Sequence, residues 1–511
     1  MAKRPVKTQP EPRTPCLSLL GAALLALGMA GHAQAQTVRI QPSLDNRLTW
    51  TDNVDTSATN KQKDWIAEIS PGLSISRESG RFSGGLDMRL RNLAHAERTE
   101  DNTTYLALQG RGTLEAIEDA FFVDLAASIS RDNRSAFSGR FGGDTLDTDE
   151  NNETRLFSVA PRFAFRFGAS GEGRIGYQQR WLTGGDSTLG DQRSGTWQAS
   201  VTDPVALRLF GWGLEYVRTD TRYDEGSNRD VEQEVGRATL FVNIDPQFRV
   251  RAIGGYESND YATVSGERGA IWGAGFDWYP NERTAISVTG EDRIFGTGYD
   301  VSLQHRMARS ALTLTARRDI SSSLQDLAGG YAIDPLFQAI YQILGAIDPT
   351  LSDLERERIA LDEYRARGGQ GIRSNAYFLE RAFGAGYSIS GVRNTVSISL
   401  QQSERQRLST LSGFVLNDDL ADYDKIRTRS ASLSFNHQLS GLATLSAGYL
   451  RSRSEGEGVT DDTTTRSSYT LGLTRRLGAQ ANGGVTYSHI KSEGRDAYTE
   501  NAVTATFGMR F

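Results

Sequence analysis

The side chains best suited to chemistry are few and scattered. Of five histidines, His32 falls within the first 35 residues, and His95, His305, His437 and His489 lie far apart. Imidazoles that share a zinc ion come at close, regular spacing, and no pair here has it. The single cysteine, Cys16, precedes an apolar run and leaves with it (see below), so no thiolate site or disulfide is expected. No nucleophile elbow and no phosphate-binding glycine loop is present. The stretch DTDENNE (Asp147–Glu153) offers carboxylates but lacks the glycine and closing glutamate of a calcium loop. It reads as a solvated acidic loop, able at most to bridge divalent ions to lipopolysaccharide. No catalytic residue, metal site or cofactor is expected.

Arginine is the one chemical group in excess. Of 57 basic residues only six are lysine (Lys3, Lys7, Lys61, Lys63, Lys425 and Lys491). The planar guanidinium grips carboxylates bidentately. Genomic base composition accounts for the same bias. The net charge of −6 carries no nucleic-acid footprint.

The elements that must position these arginines alternate with period two. In RFSGGLDMRLR, Phe82, Gly84, Leu86, Met88 and Leu90 share one face, and Asp87, Arg89 and Arg91 the other. RLFSVAPRFAFRFG sets Phe157, Val159, Phe163, Phe165 and Phe167 against Arg162 and Arg166. FGWGLEY, AIWGAGFDWYP and RSASLSFNHQL repeat the pattern, and all seven tryptophans fall in such segments. Segments of about ten residues with alternating character are the signature of a transmembrane barrel. Such a barrel also accounts for a mean hydropathy of −0.46, because lipid-facing and lumen-facing residues cancel.

Connections alternate as well. Tight turns (ESGR, YPNE, LSGL, RLGAQ) take turns with long polar loops, as in an outer-membrane barrel with its short turns in the periplasm. The expectation is an all-β, antiparallel, up-and-down barrel of about 22 strands, both termini periplasmic. On this phasing Arg89, Arg91, Arg162, Arg166, Arg174, Arg180, Arg237, Arg249 and Arg251 point inward. Asp87, Asp124, Glu215, Glu257 and Asp277 join them. They either pair with one another and stiffen the wall, or line a conduit that grips acidic sugars or other anions.

The chain ends place the barrel. Residues 1–35 read as a signal peptide: Lys3, Arg4, Lys7 and Arg13, then an apolar run from Leu17, then Ala33-Gln34-Ala35. The barrel then covers 36–511. The last strand alternates Val503, Ala505, Phe507, Met509 and Phe511 on one face. An aromatic terminus with apolar residues at every second position before it resembles the signal that outer-membrane proteins present to the barrel-assembly machinery. One segment, 331–369, is helical in period. Asp334 caps a first helix with Pro335 at its start, and Ser352 with Glu355 forms a capping box for a second. Leu336, Phe337, Ile340 and Leu344 give the first helix an apolar face that must bury against its hairpin partner or the barrel wall.

From Thr49 to Arg91 the chain reads TWTDNVD, then DWIAEISPGLSISRESGRFSGGLDMRLR. An early TDN, an SPG strand and a short turn into a third strand resemble the outer-membrane proteins of PEP-CTERM/exosortase systems. The helical insertion and terminal phenylalanine extend the likeness over most of the mature chain. The resemblance implies a non-enzymatic component of an exopolysaccharide and protein-sorting export system in a Gram-negative outer membrane. Its implied partners are membrane lipid, lipopolysaccharide, the barrel-assembly machinery and polysaccharide export proteins. A general diffusion porin and a barrel-embedded hydrolase are the alternatives. A TonB-coupled transporter is disfavoured because the first strand begins near Val38, leaving little room for a plug domain.

Overall fold

The computed structural model describes residues 38–77, 80–133, 135–137, 151–184, 191–223, 230–260, 266–327, 337, 340, 341, 344, 353–366, 374, 377–408, 419–458 and 461–511. Residues 1–35, read above as a signal peptide, lie outside them, as do Leu336 and the expected capping residues Asp334, Pro335 and Ser352. Twenty-two antiparallel strands close into one barrel. They are β1 (Arg39–Thr51), β2 (Asp64–Arg77), β3 (Phe82–His95), β4 (Thr103–Ile117), β5 (Phe121–Asn133), β6 (Asn151–Phe167), β7 (Gly171–Gly184) and β8 (Gln192–Leu207). There follow β9 (Phe210–Tyr223), β10 (Val231–Asp245), β11 (Phe248–Asn259), β12 (Glu267–Asn281), β13 (Thr284–Arg293), β14 (Gly296–Arg306) and β15 (Ser310–Ser322). The chain ends with β16 (Tyr377–Ser390), β17 (Asn394–Arg407), β18 (Tyr423–Ser440), β19 (Ala443–Gly458), β20 (Asp462–Arg476), β21 (Ala481–Gly494) and β22 (Tyr498–Arg510).

Closure is made by β1 and β22, in register from Ser43 opposite Arg510 to Thr51 opposite Ala502. Side chains reinforce the seam: Thr51 donates to Glu500 at 2.6 Å, and the Thr49 and Thr504 hydroxyls meet at 3.0 Å. A closed barrel pairs every strand edge, which a single sheet in lipid must do.

Period-two alternation sets the two faces. Large apolar side chains stand exposed on the outside, among them Leu48, Trp65, Phe163, Trp197, Trp272 and Leu471. Their neighbours in sequence face inward and are polar: Thr49, Asp64, Glu68, Asp87, Ser397 and Ser468 are buried. Outward aromatics cluster at two heights. Phe163, Phe165, Phe167 and Trp212 form a run near the end where β6 and β9 meet their short turns. Phe157 with Trp181, Tyr177 with Trp197, and Tyr449 with Tyr469 lie further along the strands. Aromatic girdles of this kind mark the two faces of a membrane.

Strands that run towards the chain termini are joined by turns of a few residues. The β6–β7 turn passes through Gly168 at φ 61°, a left-handed conformation that glycine adopts without steric cost. The YPNE turn is shorter than its sequence suggests, since β12 continues to Asn281. The opposite end carries the long connections, including residues 323–376 between β15 and β16. Within that insertion a helix covers Asp353–Ala366, and Phe337, Ile340, Tyr341 and Leu344 are helical. Among the described residues no helix is long and apolar enough to cross a membrane.

Candidate functional site

The inward arginines meet carboxylates on neighbouring strands. Arg89 contacts Asp45 at 2.6 Å, Arg91 contacts Glu68 at 2.8 Å, and Arg162 contacts Asp124 at 2.6 Å. Arg249 and Arg251 converge on Asp277 at 2.8 and 3.2 Å. Arg237 reaches past β11 and β12 to grip Glu291 on β13 with two bonds of 3.1 Å. Inward glycines make that reach possible. A Cβ on Gly273 would stand 2.9 Å from the Glu291 side chain, and one on Gly275 would stand 3.3 Å from the Arg251 guanidinium. The arginine arms thus lie flat along the wall rather than across the lumen. Arg166 is exposed, opposite Glu172, at the short-turn end. Arg174 is exposed as well, and Arg180 bonds the Gln178 amide oxygen at 2.6 Å. Each other arginine named in this paragraph is held by at least one acid; a ladder of unengaged cations is not what these distances describe.

What crosses the lumen is the insertion. Its helix Asp353–Ala366 packs on the inner face of β3 and β4, half-way round the barrel from β15 and β16, where the insertion is rooted. Arg358 pairs with Asp87, and both side chains are almost wholly buried. Glu357 pairs with Arg111 on β4. Leu354 fills the space over Gly85, where an added Cβ would stand 2.3 Å from its Cδ1. Arg358 and Leu361 line a small pocket with Tyr105, Leu108, Gln109 and Arg131. Gly85 and Asp87 lie in the part of β3 nearer its short turn, so the helix descends well into the barrel.

The first half of the insertion buries its apolar face against this helix. Phe337, Ile340, Ala360, Leu361 and Tyr364 form one core, with Tyr341 and Leu344 at its edge. Phe337 meets Tyr364 edge-on at 6.0 Å. Tyr341 donates to Asp353 at 3.2 Å. Burial, aided by the Asp353 charge, pushes its hydroxyl above the usual tyrosine range, which keeps it a neutral donor.

A second connection crosses in the other direction. Phe137, between β5 and β6, is fully buried among Phe378, Leu420, Tyr423 and Ile426. Its carbonyl accepts from Arg466 at 2.5 Å, and the Ala136 N–H donates to Asp419 at 2.6 Å. Sequence patterning passes over Phe137, although an aromatic inside a polar Ser/Gly/Asp loop is a sign that the loop docks. Asp147–Glu150 lie outside the described residues, and Glu153 pairs with Arg155.

No described histidine hydrogen-bonds a serine hydroxyl. His95 meets Asp64 at 3.0 Å, His305 meets Thr284, His437 meets Asn394 and His489 meets Asn501. Among the described residues no group of three or more His, Cys, Asp or Glu is placed to hold a metal ion.

No protein-family model and no curated protein matches the chain. Solved structures match its fold. The siderophore receptor PirA from Acinetobacter baumannii superposes with a TM-score of 0.51 at 8% identity, over 94% of this chain and 81% of that one. The siderophore receptor PirA from Pseudomonas aeruginosa gives 0.46 at 10%, over 94% and 82%. The FrpB iron transporter from Neisseria meningitidis (F5-1 variant) gives 0.47 at 10%, over 94% and 83%. Closure, an apolar exterior with two aromatic girdles, and short turns at one end decide the placement. The chain is an outer-membrane β-barrel of a Gram-negative cell. Its short-turn end is periplasmic, and the insertion enters the lumen from the extracellular side.

Five residues of the last strand keep their common face. Val503, Ala505, Phe507, Met509 and Phe511 all stand on the lipid side, and Val503, Phe507 and Phe511 are exposed there. Phe511 is fixed to the seam through its N–H, which donates to the Pro42 carbonyl at 2.9 Å.

Proposed function

We propose that this barrel is a non-enzymatic outer-membrane passage of an exopolysaccharide-linked export system, held shut by its own extracellular insertion. One observation carries the reading. A segment rooted at β15 and β16 crosses the lumen and docks on β3 and β4 through a buried ion pair and an apolar contact. A barrel of this strand number is wide enough for an aqueous channel if nothing fills it. A diffusion porin conducts continuously, whereas an export passage must stay closed between cargoes, and a crossing segment docked by a buried ion pair suits the second. The resemblance to outer-membrane proteins of PEP-CTERM/exosortase systems supplies the polymer class. The lumen wall suits a polar cargo, since it presents arginine–carboxylate pairs and glycines rather than apolar surface.

The experiment is loss of the gene in its own cell, with secreted and periplasmic exopolysaccharide measured separately. Less polymer outside, with accumulation inside, is expected, and the intact chain should restore export. Unchanged polymer, or a defect confined to growth on ferric siderophores, would overturn the export reading in favour of uptake of the kind named for the fold neighbours.

A further inference from the structure

The outer surface of β16–β21 carries a charge pattern that the lumen does not explain. On β18 the lipid-facing side chains climb from Leu439 through Phe435 and Leu433 to Arg429 and Arg427. At about 3.3 Å per residue and a tilt of about 40°, the stretch from Leu439 to Arg429 rises about 25 Å, the height of the apolar band. Arg429 therefore stands where the headgroups of the outer leaflet begin. Adjacent strands put more cations on the same face. Arg429 is directly opposite Arg453, and Ala431 is opposite Arg451. Arg451 is opposite Ser467, which is opposite Lys491. Arg381 continues the row on β16.

Like charges directly opposite on antiparallel strands destabilise the pair. Seven cations on this face (Arg381, Lys425, Arg427, Arg429, Arg451, Arg453 and Lys491) meet four carboxylates (Glu404, Glu455, Glu457 and Glu493), of which Glu457 takes Lys425 at 3.6 Å and Glu493 pairs with Lys491. Glu404 is shared by Arg427 at 2.6 Å and by Arg381 and Lys425 at 3.5 Å. Glu455 is shared by Arg453 at 2.8 Å, Arg429 at 3.7 Å and Arg427 at 4.0 Å. Arg451 has no carboxylate within ion-pair distance among the described residues. The Arg381, Arg429, Arg453 and Lys491 side chains are each about half exposed. On the other side of the barrel outward Arg155 pairs with Glu153, and outward Arg218 stands 3.0 Å from Glu232 and 3.6 Å from Asp220.

We propose that Arg427, Arg429, Arg451 and Arg453, flanked by Arg381 and Lys491, bind the phosphorylated glycolipid of the outer leaflet. Guanidinium forks take phosphate oxygens bidentately. The phosphates sit over the Arg429–Arg453 pair and offset its repulsion. The acyl chains run down the apolar surface beneath, over Leu433, Phe435, Tyr469 and Leu471, all of them exposed. The assignment rests on the outer-membrane placement alone and stands or falls apart from the export reading.

The test uses the full-length protein extracted from outer membranes into mild detergent. Native mass spectrometry counts bound lipid A, with added bis-phosphorylated lipid A and its dephosphorylated form as the probes and inorganic phosphate as competitor. The variant Arg429→Gln/Arg451→Gln/Arg453→Gln should retain at least about tenfold less phosphorylated lipid than the intact chain. The matched variant Arg155→Gln/Arg193→Gln/Arg218→Gln, on outward positions of β6, β8 and β9, should retain as much as the intact chain. Heat-modifiability in detergent gels reports whether each barrel has folded. Should the first triple variant misfold, Arg451→Gln alone, which breaks no ion pair, should still lower retention. Equal retention by the folded triple variant or by Arg451→Gln, loss from the matched variant, or equal retention of the dephosphorylated lipid would overturn the proposal.

Discussion

Asp87 is the residue that anchors the insertion to the barrel wall. It sits on the inner face of β3, buried, and receives Arg358 from a helix rooted across the barrel. Removing one partner of a buried ion pair costs about 3–5 kcal/mol, because the remaining charge has lost the partner that balanced its desolvation. Asp87→Ala should therefore weaken docking of the helix by about that amount while leaving the strands intact. Planar-bilayer recording should show frequent openings where the intact protein is mostly silent. Asp87→Leu combined with Arg358→Met should close the lumen again, since replacing both members of a buried pair with apolar groups is often neutral or stabilising. A silent Asp87→Ala barrel would remove the latch from the account. The wall arginines behave differently: Arg237, Arg249 and Arg251 lie along the wall in the company of acids and hydroxyls, so they set its rigidity and polarity.

On the proposed reading, the insertion is the element that keeps this barrel from being an open pore. Its two halves bury their apolar faces against each other in the core of Phe337, Ile340, Ala360, Leu361 and Tyr364. The strands do not need it for pairing. Replacing Asp334–Arg367 with a short Gly/Ser linker should leave the barrel heat-modifiable and raise single-channel conductance and antibiotic entry. The rise should stop short of a fully open barrel of this size. The β5–β6 connection still crosses to Phe378, Tyr423 and Ile426 through Phe137. Equal conductance with and without the insertion would reduce it to a surface decoration.

For the whole molecule the decisive event is closure of β22 on β1. The seam is the pairing of greatest sequence separation, and the chain must be held ready for it. Phe511 ends the lipid-facing row of the last strand and is tied by its N–H to Pro42. Phe511→Ser, or its deletion, should reduce the amount of folded barrel in outer-membrane fractions by several-fold. The N–H bond to Pro42 survives Phe511→Ser, so a loss in that variant reports on the side chain and its role in docking to the assembly machinery. Unchanged heat-modifiable protein in both variants would show that the terminal aromatic is dispensable.

The sequence by itself determined the fold class, the phase of the strands and, to within two, their number. Phe163 and Phe165 lie outside and Arg162 inside because neighbouring side chains on an extended chain must take opposite faces. That rule is local and can be read from any ten residues. Turn chemistry was nearly as legible, with errors of two or three residues such as the extension of β12 to Asn281. The helical period of the insertion was visible for the same reason, though not where it would go. Only the tertiary structure decided that Leu354 meets Gly85, that Arg358 meets Asp87 and that Phe137 docks beside Tyr423. These partners are hundreds of residues apart along the chain. They meet because closing the sheet brings opposite strands to face one lumen. No local periodicity encodes contact across that space; it depends on barrel diameter and on the reach of the loops, which exist only once β1 has found β22.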